Sequence, residues 1–340
     1  MISSFLRIVG KAVSTSPSIF KPIISLPNTG LRIIYYHIVG DEKKEYYFSN
    51  NRVSVDAFQK QIKFLKSNFE YISLSEAIDK YYAGESLDGF FTITTDDGFR
   101  ENYTNMAPIL IENNLRATFF LVTNCIDNKD LMWRNKLHLF SNRLTIEEQS
   151  NAAQACADYF KLNQIQKEEN LLQWSSRTWP MKLKDDAADF IWKFAKLDNL
   201  DSYLNIHKPY LEKNEIKELI DKGFEIGTHS KSHPYFSKLS LSELNDEILG
   251  SIKYIKKKFP HGSLNILSLP FGNRLSNKLE LEFLKNNPNQ VLSILGIHSA
   301  LSNYVSPIKW ERDLFELDLH LSIGTFTVVP YCRRILMQYA

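Results

Sequence analysis

The chain has 340 residues, 44% of them apolar, enough to bury a large core as one α/β domain with an insertion or as two small domains. Its 41 basic and 39 acidic side chains nearly cancel, so no global field marks nucleic acid as a partner or demands a polyanionic substrate. Cys125, Cys156 and Cys332 stand far apart in no CxxC pattern, which argues against a disulfide framework and a thiolate zinc site and suits a reducing compartment.

Residues 1–30 contain no uninterrupted apolar run, because Arg7 and Lys11 break it and Ser and Pro follow, so no cleaved secretion signal is expected. Two placements are open for this segment. It packs on the domain as a helix, the commoner use of apolar residues at helical spacing. Alternatively it lies on the inner membrane surface, with Phe5, Leu6, Ile8 and Val9 in the lipid boundary and Arg7 and Lys11 on anionic head groups. The cytoplasm is the expected location in either case.

From about residue 32, short apolar runs alternate with helical patterns. LRIIYYHIV, FFTITTDDG, RATFFLVT, GFEIGTHS and LNILSLPFG each read as a strand ending in polar residues. Helices are predicted over Val55 to Phe69, Asn102 to Asn113, Lys213 to Lys222 and Ser240 to Phe259, the last opened by a capping box of Ser240 and Glu243. This is the alternation of a parallel sheet. Residues 124–212 break the rhythm with helix-like stretches (Thr145 to Leu162, Lys184 to Leu197) and three tryptophans, Trp174, Trp179 and Trp192, and read as a helical insertion. Those tryptophans either stack sugars or, more commonly for such residues, pack a core. The tail 323–340 reads as a final strand and helix or as a docking segment.

In parallel α/β folds, chemistry gathers at the carboxyl ends of the strands, and every polar cluster here falls at one. In TTDDG, Asp96 and Asp97 follow a buried strand and precede Gly98. Adjacent carboxylates repel, and are tolerated where a cation sits against one and a basic group holds the other. Alone, Asp-Gly is also an ordinary solvated turn. His229 and His233, four apart after GFEIGT, converge on one ion if the loop coils, and otherwise are two surface histidines. Asp97, His229 and His233 together make a three-ligand site with open positions, the pattern of a catalytic metal centre. Hydrolysis is its natural chemistry, with a free carboxylate beside the ion taking the proton. The turn Leu269-Pro270-Phe271-Gly272-Asn273 offers a backbone N–H for an oxyanion, and Tyr36-His37 ends the first strand.

Taken in order, YYHIV, TTDDGFRENY, RATFFLVT, GFEIGTHSKSH and LPFG resemble the polysaccharide deacetylase family, the NodB-homology or carbohydrate esterase 4 group, over about residues 32–315. The resemblance implies an irregular (β/α)7 barrel over residues 31–322, with the helical insertion inside it. It also implies one divalent metal, usually zinc, on Asp97, His229 and His233, with Asp96 as base and the Phe271 N–H as oxyanion donor. Many members carry an Arg just before the third motif, where this chain has Ile266, Leu267 and Ser268. Arg312 in KWERDLF is the candidate to hold Asp96 instead. Chains that begin with a YH strand resemble the permuted branch, which makes His37 the proton donor, and His320 in LDLHLS is its rival. The implied substrate is an N-acetylated sugar, oligosaccharide or lipid-linked glycan. Rival readings are a deformylase or O-deacetylase using the same site, a metal-free glycan-binding module, and a phosphoesterase, which usually wants two metals and more carboxylates.

Overall fold

A computed structural model describes residues 30–48, 51–197, 199–272, 277–296 and 308–314. The segment before Gly30, Asn273, His320, Cys332 and the tail lie outside the described residues. The described residues form eleven strands: β1 (Arg32–Tyr36), β2 (Ile38–Val39), β3 (Arg52–Val53), β4 (Glu70–Tyr71), β5 (Phe90–Thr95), β6 (Thr118–Leu121), β7 (Glu225–Thr228), β8 (Ser263–Ser268), β9 (Ser293–Gly296), β10 (Ile308–Glu311) and β11 (Asp313–Leu314). All their pairings are parallel.

The main sheet runs β10-β9-β8-β7-β6-β5-β1-β11, and only Arg312 separates its two end strands. β10 pairs with β9, and β11 pairs with β1 through Ile34 to Asp313 and Tyr35 to Leu314, so one composite strand joins the two edges. The sheet thereby curls into an irregular barrel of seven strands: β1, β5, β6, β7, β8, β9 and β10–β11. Strands in such a barrel are covered on both faces, which is why β1 (RIIYY) and β6 (TFFL) are buried at every residue. Between β6 and β7 the strands approach so closely that a Cβ on Gly227 would lie 2.3 Å from the Phe120 ring.

The helices cover the outside. Ser54 and Ser73 cap α1 (Val55–Asn68) and α2 (Leu74–Tyr82). The single helix predicted over 102–113 is instead a π-helical turn, Asn102–Met106, running into α3 (Ala107–Glu112), which has a proline in its first turn. Pro108 has no N–H to continue the regular ladder, so the register shifts there. After β6 come α4 (Trp133–Arg143), α5 (Ile146–Phe160), α6 (Leu171–Thr178), α7 (Lys184–Phe194) and α8 (Leu200–His207), then the crossover helix α9 (Lys213–Asp221) into β7.

Helices α4 to α8 pack a core of their own that is continuous with the barrel mouth. Trp133, Trp174, Trp179 and Trp192 are all buried in it, so the insertion's tryptophans pack and do not stack sugars. Lys136 is fully buried there between Asp130 and Asp189, each at 2.6 Å. Past β7, α10 (Leu241–Lys258) carries the predicted capping box of Ser240 and Glu243, and α11 (Asn277–Asn286) precedes β9. Among the described residues no helix is long and apolar enough to cross a membrane.

Candidate active site

The carboxyl ends of β1, β5, β7 and β8 open into one cleft of about 260 Å³, lined by His37, Asp96, Asp97, His229, His233 and Phe271 among others. The two adjacent carboxylates separate at once. Asp96 N–H donates to the Tyr36 carbonyl at 2.9 Å, which continues the sheet, whereas Asp97 turns into the left-handed region at φ 70°. Gly98 follows at φ 74°, where a Cβ would stand 2.9 Å from Leu121 Cδ2, so only glycine fits this turn.

Asp96 points inward to Arg312. The guanidinium donates from Nη1 to Oδ1 at 2.8 Å and from Nη2 to Oδ2 at 2.7 Å, a bidentate fork. Ser268 Oγ also donates to Oδ1 at 3.0 Å and accepts from Arg312 Nη2 at 2.7 Å. Arg312 is wholly buried; it reaches Thr94 Oγ1 and the Gly296 carbonyl as well, and lies 4.6 Å from the Tyr35 ring centroid. Burial pushes the Asp96 carboxyl up, but the Arg312 guanidinium, with His229 and His37 nearby, outweighs it and holds the group well below the usual carboxylate range. The composite strand that closes the barrel thus delivers the counter-ion, at the residue where the strand changes partners.

Asp97 points the other way. Its Oδ1 lies 3.5 Å from His229 Nε2 and 3.4 Å from His233 Nε2, and the two Nε2 atoms are 3.1 Å apart. Two ligand atoms each about 2.1 Å from a tetrahedral zinc ion are about 3.4 Å apart, so the three observed separations suit one such ion. The protonation pattern agrees. His229 Nδ1 lies 2.9 Å from the Ser268 carbonyl, which can only accept, so Nδ1 is the donor there and Nε2 is the nitrogen turned toward Asp97 and His233. Burial, together with the nearby His229, pushes His233 well below the usual imidazole range and keeps it neutral. The donor set, two imidazoles and a carboxylate, fits a divalent metal.

The loop after β7 is held in shape from three sides. Glu247 on α10 accepts from the Lys231 and Ser232 amides, each at 2.9 Å. Lys184 on α7 donates to Ser232 Oγ at 2.7 Å, and Trp133 Nε1 on α4 donates to the His233 carbonyl at 3.0 Å. These contacts keep His233 at φ 56°, a conformation that costs a non-glycine residue about 1–3 kcal/mol. Phe271 is likewise left-handed at φ 56°, and its ring stacks on Tyr235 at 4.2 Å and meets His233 edge-on at 4.3 Å. His37 stands at the same cleft, its carbonyl held by Asn102 Nδ2 at 2.8 Å.

All the candidate residues among those described, His37, Asp96, Asp97, His229, His233, Phe271 and Arg312, therefore meet at one place, while His320 lies outside the described residues. Sequence reading passed over Ser268, Trp133, Arg134 and Glu247. For Ser268 a signal existed: a short hydroxyl where relatives of this type carry Arg leaves room for a guanidinium arriving from elsewhere. The others come from the insertion and from α10, with no local pattern linking them to the site.

Barrel and cleft define an irregular α/β barrel of the NodB type. The sequence model for polysaccharide deacetylases matches residues 84–287. The chain belongs to the polysaccharide deacetylase family and is a carbohydrate deacetylase. No protein of curated function matches the sequence. Among solved structures, the chain is similar to the Streptococcus pyogenes deacetylase PplD in complex with acetate, with a TM-score of 0.56 at 14% identity, covering 88% of this chain and 98% of that one. A de-N-acetylase from Aggregatibacter actinomycetemcomitans aligns with a TM-score of 0.52 at 14% identity over 83% of this chain and 93% of that one. IcaB from Ammonifex degensii gives 0.52 at 14% identity over 88% and 97%. At such identities the likeness is one of fold.

Proposed function

We propose that this protein is a metal-dependent N-deacetylase of a sugar in a glycan or glycan precursor. The observation that carries the proposal is the divergence of Asp96 and Asp97, one locked to a guanidinium and the other converging with two imidazoles. Asp97, His229 and His233 would hold the ion, with zinc the first choice for such a donor set. When bound, a divalent ion supplies Lewis acidity, polarising the amide carbonyl and acidifying the attacking water.

The remaining roles fall to the chain's own groups. Asp96 is the base, and its Oδ2, which carries one of the guanidinium contacts against two polar partners on Oδ1, is the oxygen that takes the proton. Arg312 and Ser268 keep that carboxylate ionised and aimed. Phe271, on its left-handed turn at the cleft, supplies the backbone N–H for the developing oxyanion, a contribution of the kind that typically amounts to about 2.7–4 kcal/mol. His37 donates the proton that the leaving amine needs.

Mass spectrometry of products from a panel of N-acetylated polymers, nucleotide sugars and lipid-linked sugars tests the reading. Loss of one acetyl mass on one class is expected. Loss of a formyl group or cleavage of an ester in its place supports the deformylase or O-deacetylase alternative. For the proton donor, His37→Ala should abolish turnover and His320→Ala should not; the reverse result transfers the role to His320.

A further inference from the structure

The insertion places a cation in the cleft that the chemistry above does not use. Arg134, in the first turn of α4, lines the cavity beside Asp97 and His233. Its guanidinium carbon lies 4.6 Å from the Phe271 ring centroid and 5.2 Å from that of Phe48. One hydrogen bond fixes it, from Nη1 to Tyr235 Oη at 3.3 Å, and among the described residues no carboxylate pairs with it. Arg100, Arg143 and Arg177 each pair with a glutamate, Glu215, Glu45 and Glu169, and Arg52 and Arg116 spend their donors on backbone carbonyls, whereas Arg134 faces the cleft. A half-buried guanidinium laid against aromatic faces keeps its in-plane N–H groups for a planar, two-oxygen acceptor.

The charge balance points the same way. Asp96 and Arg312 cancel, and a divalent ion beside Asp97 leaves one positive charge, to which Arg134 adds a second. A cleft with that surplus, walled by buried apolar groups, concentrates anions. We propose that Arg134 is a specificity-determining residue that binds an oxyanion of the substrate, a phosphate or carboxylate on or next to the N-acetylated sugar, so that the helical insertion selects anionic glycans. This rests on the deacetylase reading. It gives the insertion a function at the cleft in addition to bracing the His233 loop through Trp133.

The test compares kcat/KM for acetate release from three probes: a neutral N-acetylglucosamine oligomer, N-acetylglucosamine 1-phosphate, and a disaccharide containing N-acetylmuramic acid. The wild-type protein should favour one anionic probe by roughly tenfold or more, the worth of one charge-assisted contact, with the difference in KM. Which probe is favoured tells phosphate from carboxylate. Arg134→Met should collapse the anionic-to-neutral ratio toward one. Arg134→Lys, which keeps the charge but not the flat fork, should give an intermediate ratio that falls as salt is added, and it serves if the Met variant does not fold. A wild-type ratio near one, or a ratio unchanged in the variants, overturns the inference and leaves the deacetylase reading standing. No acetate from any of the three overturns that reading, and the inference with it.

Discussion

Arg312→Met is the sharpest perturbation of Asp96, the proposed base. The guanidinium is wholly buried and makes the fork to Asp96 with further bonds to Ser268, Thr94 and the Gly296 carbonyl. Methionine fills much of the volume but leaves the Asp96 charge buried and uncompensated. Breaking a buried pair in this way costs about 3–5 kcal/mol, a large share of the roughly 5–15 kcal/mol that holds a domain folded. Urea unfolding of the metal-free protein, followed by circular dichroism, measures the cost. Asp96→Asn made in the Arg312→Met background should recover part of it, since no charge is then stranded. The double-mutant cycle should therefore show a coupling of about 2 kcal/mol or more. An Arg312→Met protein within about 1 kcal/mol of wild type, or changes that add within about 0.5 kcal/mol, would refute the account of the pair.

Three further outcomes follow from the geometry. Trp133→Phe removes the indole N–H that holds the His233 carbonyl, and metal affinity measured by competition with a chromophoric chelator should weaken about 10–100-fold, as for other groups that orient ligands. Gly98→Ala places a Cβ against Leu121 at a positive φ; thermal unfolding should show a loss of at least about 1–3 kcal/mol, and unchanged stability would mean that the turn after Asp97 is not as described. Glu101 is half-buried and accepts from Tyr46 at 2.8 Å, and its partial burial raises its pKa. A carboxyl raised on folding destabilises the protein above its unfolded pKa, with no penalty below it. Glu101→Gln, which keeps an acceptor for Tyr46, should therefore stabilise the protein at pH 7 and gain nothing near pH 3.5, and a gain that is the same at both values would contradict the assignment.

The legible part of the site is the part written as consecutive residues at strand ends. TTDDG, the spaced histidines and the turn at Phe271 announce themselves because one strand or loop delivers each group, and parallel packing brings the ends together. The barrel closure is a different matter. β9 is a run of four residues, Ser293–Gly296, too short for periodicity to declare, and β10 and β11 make one strand only because Arg312 lets it change partners. Composition gave no reason to choose Arg312 over other arginines; the reason was the missing Arg before the third motif, where this chain has Ile266, Leu267 and Ser268. Trp133 and Arg134 were illegible for the same physical cause. They reach the cleft through the packing of an insertion core about a hundred residues from the histidines, and sequence pattern carries no record of such long-range contacts.

The central claim is that a metal held by Asp97, His229 and His233 and a base at Asp96 act together on an N-acetyl sugar. The most direct measurement is acetate release from an N-acetylated oligosaccharide by wild-type and Asp96→Asn proteins, each stripped with chelator and then titrated with zinc while bound metal is counted. Both proteins should bind about one ion with similar affinity, and only the wild type should regain turnover, with the variant slower by orders of magnitude. Full activity in the stripped wild type, or wild-type turnover by the zinc-loaded Asp96→Asn protein, would contradict it.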